Sequence, residues 1–345
     1  MSIMALAHDA MSQAAVLRSQ IGKILKYDIP VDFNVVPGIL IGVDDRDSSY
    51  RFVFGKDMHE DGIYEMGSVT KPVIAWLIAK ALDSLQLDKK ASVCTFLPDS
   101  ICNASWQKLT IDEIITHRSG LFRMPPKIGL SESDVRDPYK DYSIEKFAHD
   151  LQSIQPVPGV YSYSNIGYAM TYWLFEKVGG LEAFTKKVLT GPNTMLDVDW
   201  ESNSVHIAPG YGMDGRPQPP WNTNTFMPAI GLKSSLQDLM RFVKIYMDFY
   251  SNEAGENEKA LKKEIKYLNK SHAFKVIDGW FVIQQGNSLL YYHTGRTGGH
   301  QVSVAFIPSM KKSVVVISNG ALGSNDLSLL ILRMLRKSHP VKKIR

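Results

Sequence analysis

Strand-like segments stand near both ends of this chain with a long stretch of helical periodicity between them, and that arrangement restricts the fold more than any other feature. Near the start, residues 37–44 (PGILIGVD) and 50–54 (YRFVF) flank a polar turn at 45–49. Near the end, residues 280–284, 288–293, 301–307 and 313–319 are rich in β-branched and aromatic side chains, and turns at 285–287, 294–299 and 308–312 separate them. Short turns join antiparallel neighbours. A helical pattern over 326–337 closes the chain. These segments predict an α+β fold: one antiparallel sheet drawn from both chain ends and flanked by helices, with a helical insertion beside it.

The helical segments are equally legible. Leu6, Ala10, Met11, Ala14, Leu17, Ile21 and Ile24 recur at helical spacing in the first 27 residues. After Gly67 comes SVTKPVIAWLIAKALDSLQL, an apolar run of helix length with Pro72 in its first turn, where a missing N–H costs nothing. Residues 93–225 differ in character, with short helical patterns at 111–115, 144–151 and 169–177 between Pro/Gly-rich loops. A further helix is expected over 234–250, and the charged stretch 253–266 reads as a solvated face or mobile loop. With 345 residues, the chain has room for about two domains. The expected division is a discontinuous sheet domain (1–92 and 226–345), a mostly helical subdomain (93–225) and an active site in the cleft between them.

Several classes are excluded at this point. Hydrophobic residues at 44% and charged residues at 21% suit a packed core and rule out a disordered or fibrous chain. The net charge of +4 is scattered apart from a basic tail (Arg333, Arg336, Lys337, Lys342, Lys343, Arg345), read as a solvated helix end, so no nucleic-acid partner is expected. No apolar run is long enough to span a membrane. The first residues lack a signal-peptide pattern, which gives a cytoplasmic expectation as the chain stands, or a periplasmic or extracellular one if an export segment is missing. Cys94 and Cys102, the two cysteines, are expected as reduced, unconnected thiols. No metal site and no cofactor is expected, since neither Cys nor His shows ligand spacing.

Three short motifs carry chemistry. Ser68-Val-Thr-Lys71 puts a hydroxyl and an amine three residues apart, on one face of a helix. Ser-x-x-Lys is a nucleophile motif of β-lactamases and penicillin-binding proteins. It also occurs at Ser105, Ser143 and Ser309, but only Ser68 follows a glycine and opens a long apolar helix. Tyr163-Ser164-Asn165 supplies a phenol, a general base if cations lower its pKa, and an amide for a substrate. The same tripeptide recurs at Tyr250-Ser251-Asn252, beside the charged stretch. His293-Thr294-Gly295-Arg296 ends a predicted strand, where glycine permits close backbone approach, and the backbone N–H groups of Arg296 and Ser68 suit an oxyanion hole.

The order and spacing of these motifs, with the flanking text YEMGSVTKPV, ITHRSGL and PGVYSYSNIGYAM, resemble the serine β-lactamase and penicillin-binding protein superfamily, in its class C β-lactamase, DD-peptidase and esterase branch. The resemblance covers residues 35 to 335. It implies a transpeptidase-like fold and an acyl-enzyme on Ser68, with Lys71 and Tyr163 sharing the proton traffic. Asn165, Thr294, Gly295 and Arg296 would contact substrate. His293 stands where most β-lactamases have lysine, which favours an esterase or D-amino-acid peptidase over a β-lactamase proper. A histidine, cationic only in part at neutral pH, would also hold a substrate carboxylate less firmly. Arg296, where many relatives have a small residue, either faces solvent or binds a terminal carboxylate. An acyltransferase and a non-catalytic binding relative are further alternatives. The expected partner is a small molecule or peptide; the sequence does not set the oligomeric state.

Overall fold

Seven strands form one antiparallel sheet whose members come from both ends of the chain. A computed structural model describes residues 3–126, 128, 136–189, 198–200, 207–252, 274–321 and 326–337. Strands β1 (Gly38–Asp45) and β2 (Ser48–Gly55) join β3 (Lys275–Ile277), β4 (Trp280–Gln285), β5 (Ser288–Arg296), β6 (Gln301–Ile307) and β7 (Lys312–Ser318). The spatial order is β2-β1-β7-β6-β5-β4-β3. The two groups meet where β1 pairs with β7, from Ile39 opposite Ser318 to Asp45 opposite Lys312.

Alternation along β1 explains why helices cover both faces. Ile39, Ile41 and Val43 pack with Leu17 and Ile21 of α1 (Ile3–Lys23), with Leu25 in the turn just after it, and with Ile331, Leu332 and Leu335 of the last helix. Leu40 points the other way, into the larger core. That core contains Val73, Ile74, Leu77 and Ile78 of α2 (Thr70–Leu85). Shorter helices follow: α3 (Ile111–Ile115), α4 (Ile144–Gln152), α5 (Asn165–Ala169), α6 (Thr171–Glu176), α7 (Leu181–Leu189) and α8 (Met227–Ile230). Then come α9 (Leu236–Asn252) and α10 (Leu327–Lys337).

The structure departs from the sequence expectations in several places. Strand β5 continues through Thr294, Gly295 and Arg296, where a turn is predicted, because those residues pair with Ser303, Val302 and Gln301 of β6. Strand β3 is not foreseen. It is joined to β4 by Asp278 and Gly279, both at positive φ (46° and 78°), the conformation that tight two-residue hairpins require. Cys94 and Cys102 are bonded to each other, a correction to the expectation of separate thiols. Backbone turns at Val93–Thr95 and from Asp99 to Cys102 fold the segment back and bring their Cα atoms to 5.7 Å. In the basic tail, Arg336 donates to the Gln285 carbonyl rather than only facing solvent, and residues 342–345 lie outside the described residues. The charged stretch 253–266 lies outside them as well. Among the described residues no helix is long and apolar enough to cross a membrane.

Candidate active site

Ser68 sits in a single tight turn, Gly67–Val69, that leads directly into α2. The backbone there is anchored from outside the helix. Met66 N–H donates to the Leu232 carbonyl, while the Thr70 hydroxyl donates to Gly67 and accepts from Leu232 N–H. Lys71, one turn on, is completely buried, and its amine lies 3.2 Å from Ser68 Oγ and 2.9 Å from the Ala229 carbonyl of α8. The other Ser-x-x-Lys copies make no such pair. Ser143 caps α4 by accepting from Lys146 N–H, and Lys312 reaches Asp45 and the Leu335 carbonyl.

Gly295 and Gly67 set how close β5 comes to this turn. A side chain on Gly295 would strike the Met66 carbonyl and lie 2.9 Å from the Ser68 and Val69 nitrogens; one on Gly67, at φ 50°, would lie 2.6 Å from Arg296 N. The space freed at Gly295 is thus taken by the backbone around Ser68. The backbone amides of Ser68 and Arg296 flank this contact. Strand β4 pairs with β5 only as far as Tyr292, so the stretch from His293 to Arg296 has one edge left unpaired by β4.

Tyr163 stands over the same spot. Its ring centre is 5.0 Å from the Lys71 amine, 4.3 Å from the His117 ring, 6.2 Å from Phe281 and 6.5 Å from His293. On this ring also lies the Arg123 guanidinium, at 5.2 Å. Asn165 begins α5, which Ser164 caps by accepting Gly167 N–H. The Asn165 side-chain amide donates to Met124 Sδ, and its Oδ1 is buried without a hydrogen-bond partner. That leaves one acceptor unpaired, suited to a substrate N–H. The Tyr250-Ser251-Asn252 copy has a packing role: Tyr250 bonds Asp278 and stacks on Tyr291.

Burial dominates the electrostatics. It holds the Lys71 amine well below its ordinary pKa, and the Arg123 charge pushes in the same direction. Tyr163 is pushed up to about 12 by burial, in spite of a hydrogen bond with Ser68 and the Arg123 charge. His293 is lowered to about 3 by burial and by Lys71, so it is neutral at pH 7, not partly cationic as the sequence reading has it. Its Nδ1 lies 2.8 Å from the Thr294 carbonyl, which places the proton there and leaves Nε2 as a buried acceptor without a protein partner. His117, at φ 58°, accepts Ser164 N–H on Nδ1 and is likewise held neutral by burial.

A buried carboxylate buttresses both sides of the Ser68–Arg296 contact. Glu65 accepts from Trp221 N–H at 2.8 Å and from the Thr297 hydroxyl at 3.0 Å, and His300 Nδ1 lies 3.0 Å from its Oε2. It thereby ties the segment before Ser68 to the loop after Arg296. Despite burial its pKa is lowered, through His300 and these hydrogen bonds. Sequence reasoning assigns no role to Glu65, His117, His300 or Arg123. Glu65 and His117 do fall within the quoted segments YEMGSVTKPV and ITHRSGL, but nothing in the sequence marks Arg123. Among the described residues no group of three His, Cys, Asp or Glu gathers as metal ligands.

Several known proteins are similar to this chain. A β-lactamase from Yersinia enterocolitica is 22% identical over 82% of this chain and 82% of its own length. Esterase EstB from Burkholderia gladioli is 26% identical over 52% of this chain and 47% of its own. A solved class C β-lactamase superposes with a TM-score of 0.75 at 18% identity, covering 96% of this chain and 98% of that one, a likeness of fold. The Beta-lactamase family model matches residues 32–335, which takes in the whole sheet, the Ser68 turn and the Tyr163 loop, and the chain belongs to that family.

Proposed function

We propose that the protein is a serine hydrolase that forms an acyl-enzyme on Ser68 and cleaves an ester or a D-amino-acid-type amide. Family membership supports the hydrolase, and one observation carries the mechanism: a buried amine with a depressed pKa 3.2 Å from Ser68 Oγ. A phenol with a pKa of about 12 is ionised roughly once in 10⁵ molecules at pH 7, so Lys71 rather than Tyr163 takes the proton from Ser68. Ser68 Oγ bonds to the substrate carbonyl carbon while the Ser68 and Arg296 amides hold the oxyanion. The bond to the leaving group then breaks. Tyr163, between Lys71 and the cleft, hands the proton to the departing oxygen or nitrogen. Water repeats the sequence on the acyl-enzyme, releasing the acid and restoring the Ser68 hydroxyl. Asn165 and the open edge at Thr294–Arg296 align the substrate, in a cleft between the sheet elements and the helical subdomain 93–225.

Intact-protein mass after treatment with a fluorophosphonate, and separately with a penicillin, tests this reading, with Ser68→Ala as control. The expected result is a Ser68-dependent adduct with each reagent, with the penicillin adduct persisting. Rapid clearance of the penicillin adduct points instead to a β-lactamase proper. No adduct from either reagent refutes the acyl-enzyme reading.

A further inference from the structure

An aromatic cluster adjoins the site on the Tyr163 side and has no part in the proton transfers above. The Phe281 ring lies 6.2 Å from Tyr163 and 5.1 Å from His293. From there the rings continue outward, Phe281 to Tyr292 at 5.5 Å, Phe281 to Phe274 at 5.1 Å and Phe274 to Tyr161 at 5.5 Å. None of Phe274, Phe281, Tyr161 and Tyr292 is buried, and Tyr161 is 37% exposed. Val160 beside it is 51% exposed. Tyr292 is the last β5 residue paired with β4, so the cluster stands where the open edge of β5 begins. Aromatic faces left partly in water next to a reaction centre gain by being covered.

The side of the site decides which part of a substrate covers them. On the mechanism proposed above, Tyr163 hands its proton to the leaving group, and this cluster stacks onto Tyr163. We infer that Tyr161, Phe274 and Phe281 form a subsite for an apolar, uncharged leaving group, so that the preferred substrates release an alkyl or aryl alcohol or amine. The inference rests on the Ser68 hydrolase reading. The reaction itself is unchanged: the alcohol departs with the proton from Tyr163, and water supplies the acid oxygen.

Acetate esters of straight-chain alcohols, ethyl to hexyl, test it, since these alcohols leave with nearly equal ease. The wild-type kcat/KM is expected to rise two- to threefold per methylene, roughly thirtyfold over the series. In Phe274→Ala, and independently in Tyr161→Ala, the hexyl-to-ethyl ratio is expected to fall at least fivefold, with unchanged circular dichroism and fluorophosphonate labelling of Ser68 reporting a folded, competent site. A flat series in a wild-type enzyme that hydrolyses ethyl acetate overturns the subsite and leaves the hydrolase standing. So does a slope that both variants retain, or one seen only when the acyl chain of ethyl esters is lengthened. Absence of any Ser68 adduct removes the hydrolase reading, and the subsite with it.

Discussion

Replacing Arg123 by glutamine tests whether a cation that makes no contact with Ser68 helps to lower the Lys71 pKa. The Lys71 amine and the Arg123 guanidinium lie 5.0 Å and 5.2 Å from the centre of one ring, Tyr163. They are therefore no more than about 10 Å apart, and at an effective dielectric of about 20 two like charges at that distance repel by roughly 1.7 kcal/mol. Arg123 is exposed, so solvent and salt reduce this by up to about half, leaving roughly half to one pH unit. Removing the repulsion makes protonated Lys71 easier to form. The acid limb of kcat/KM against pH, measured with a neutral ester, is expected to move upward by that amount. The alkaline limb moves upward too, because Arg123 also lowers Tyr163. Arg123→Lys restores most of the wild-type profile, and high salt shifts the wild type toward the variant. A uniform fall in rate with both limbs in place, or an acid limb moving downward, would refute the electrostatic account and leave Arg123 a packing role.

Four further outcomes follow from the same geometry. Lys71→Met abolishes turnover but raises thermal stability at pH 7, by on the order of 1–2 kcal/mol, because the folded state disfavours a proton that the unfolded chain holds up to about pH 10.4; a drop in melting temperature contradicts this. Gly295→Ala is expected to lower kcat by roughly 10²–10³ with little change in KM, since the added carbon pushes β5 away from the Ser68 and Val69 amides; a loss confined to KM would count against that contact. Glu65→Gln leaves His300 facing an amide in place of a carboxylate, and a destabilisation of about 1–3 kcal/mol in urea titrations is expected, with a parallel loss of kcat. Acid lability should begin near pH 6.5. The unfolded chain protonates His293 there, whereas the folded chain resists until about 3, so stability falls by several kcal/mol across that window, and a flat stability profile between pH 7 and 5 speaks against a buried neutral His293.

The sheet and its attendant helices were legible because they are written in local periodicity. Ile39, Ile41 and Val43 alternate with Leu40 in the sequence as they do across the sheet, and the apolar run after Gly67 can only be a helix buried on most sides. The pairing of Ser68 with Lys71 was equally readable, because three residues on a helix fix their separation. Strand β3 is too short for a periodic signal; its one marker is the Asp278-Gly279 pair that the hairpin needs.

What the chain determined alone was therefore the α+β architecture and the motif order Ser68–Lys71, Tyr163–Asn165, His293–Arg296. Tertiary structure decided the charge states. A histidine or lysine has its ordinary pKa in any sequence, and only full burial beside another cation makes His293 neutral and depresses Lys71. It also decided the long-range partners, Arg123 on the Tyr163 ring and Glu65 on Thr297 and His300. Those contacts join residues from 40 to more than 230 positions apart. No local pattern encodes them, because each depends on where two separately folded elements happen to meet.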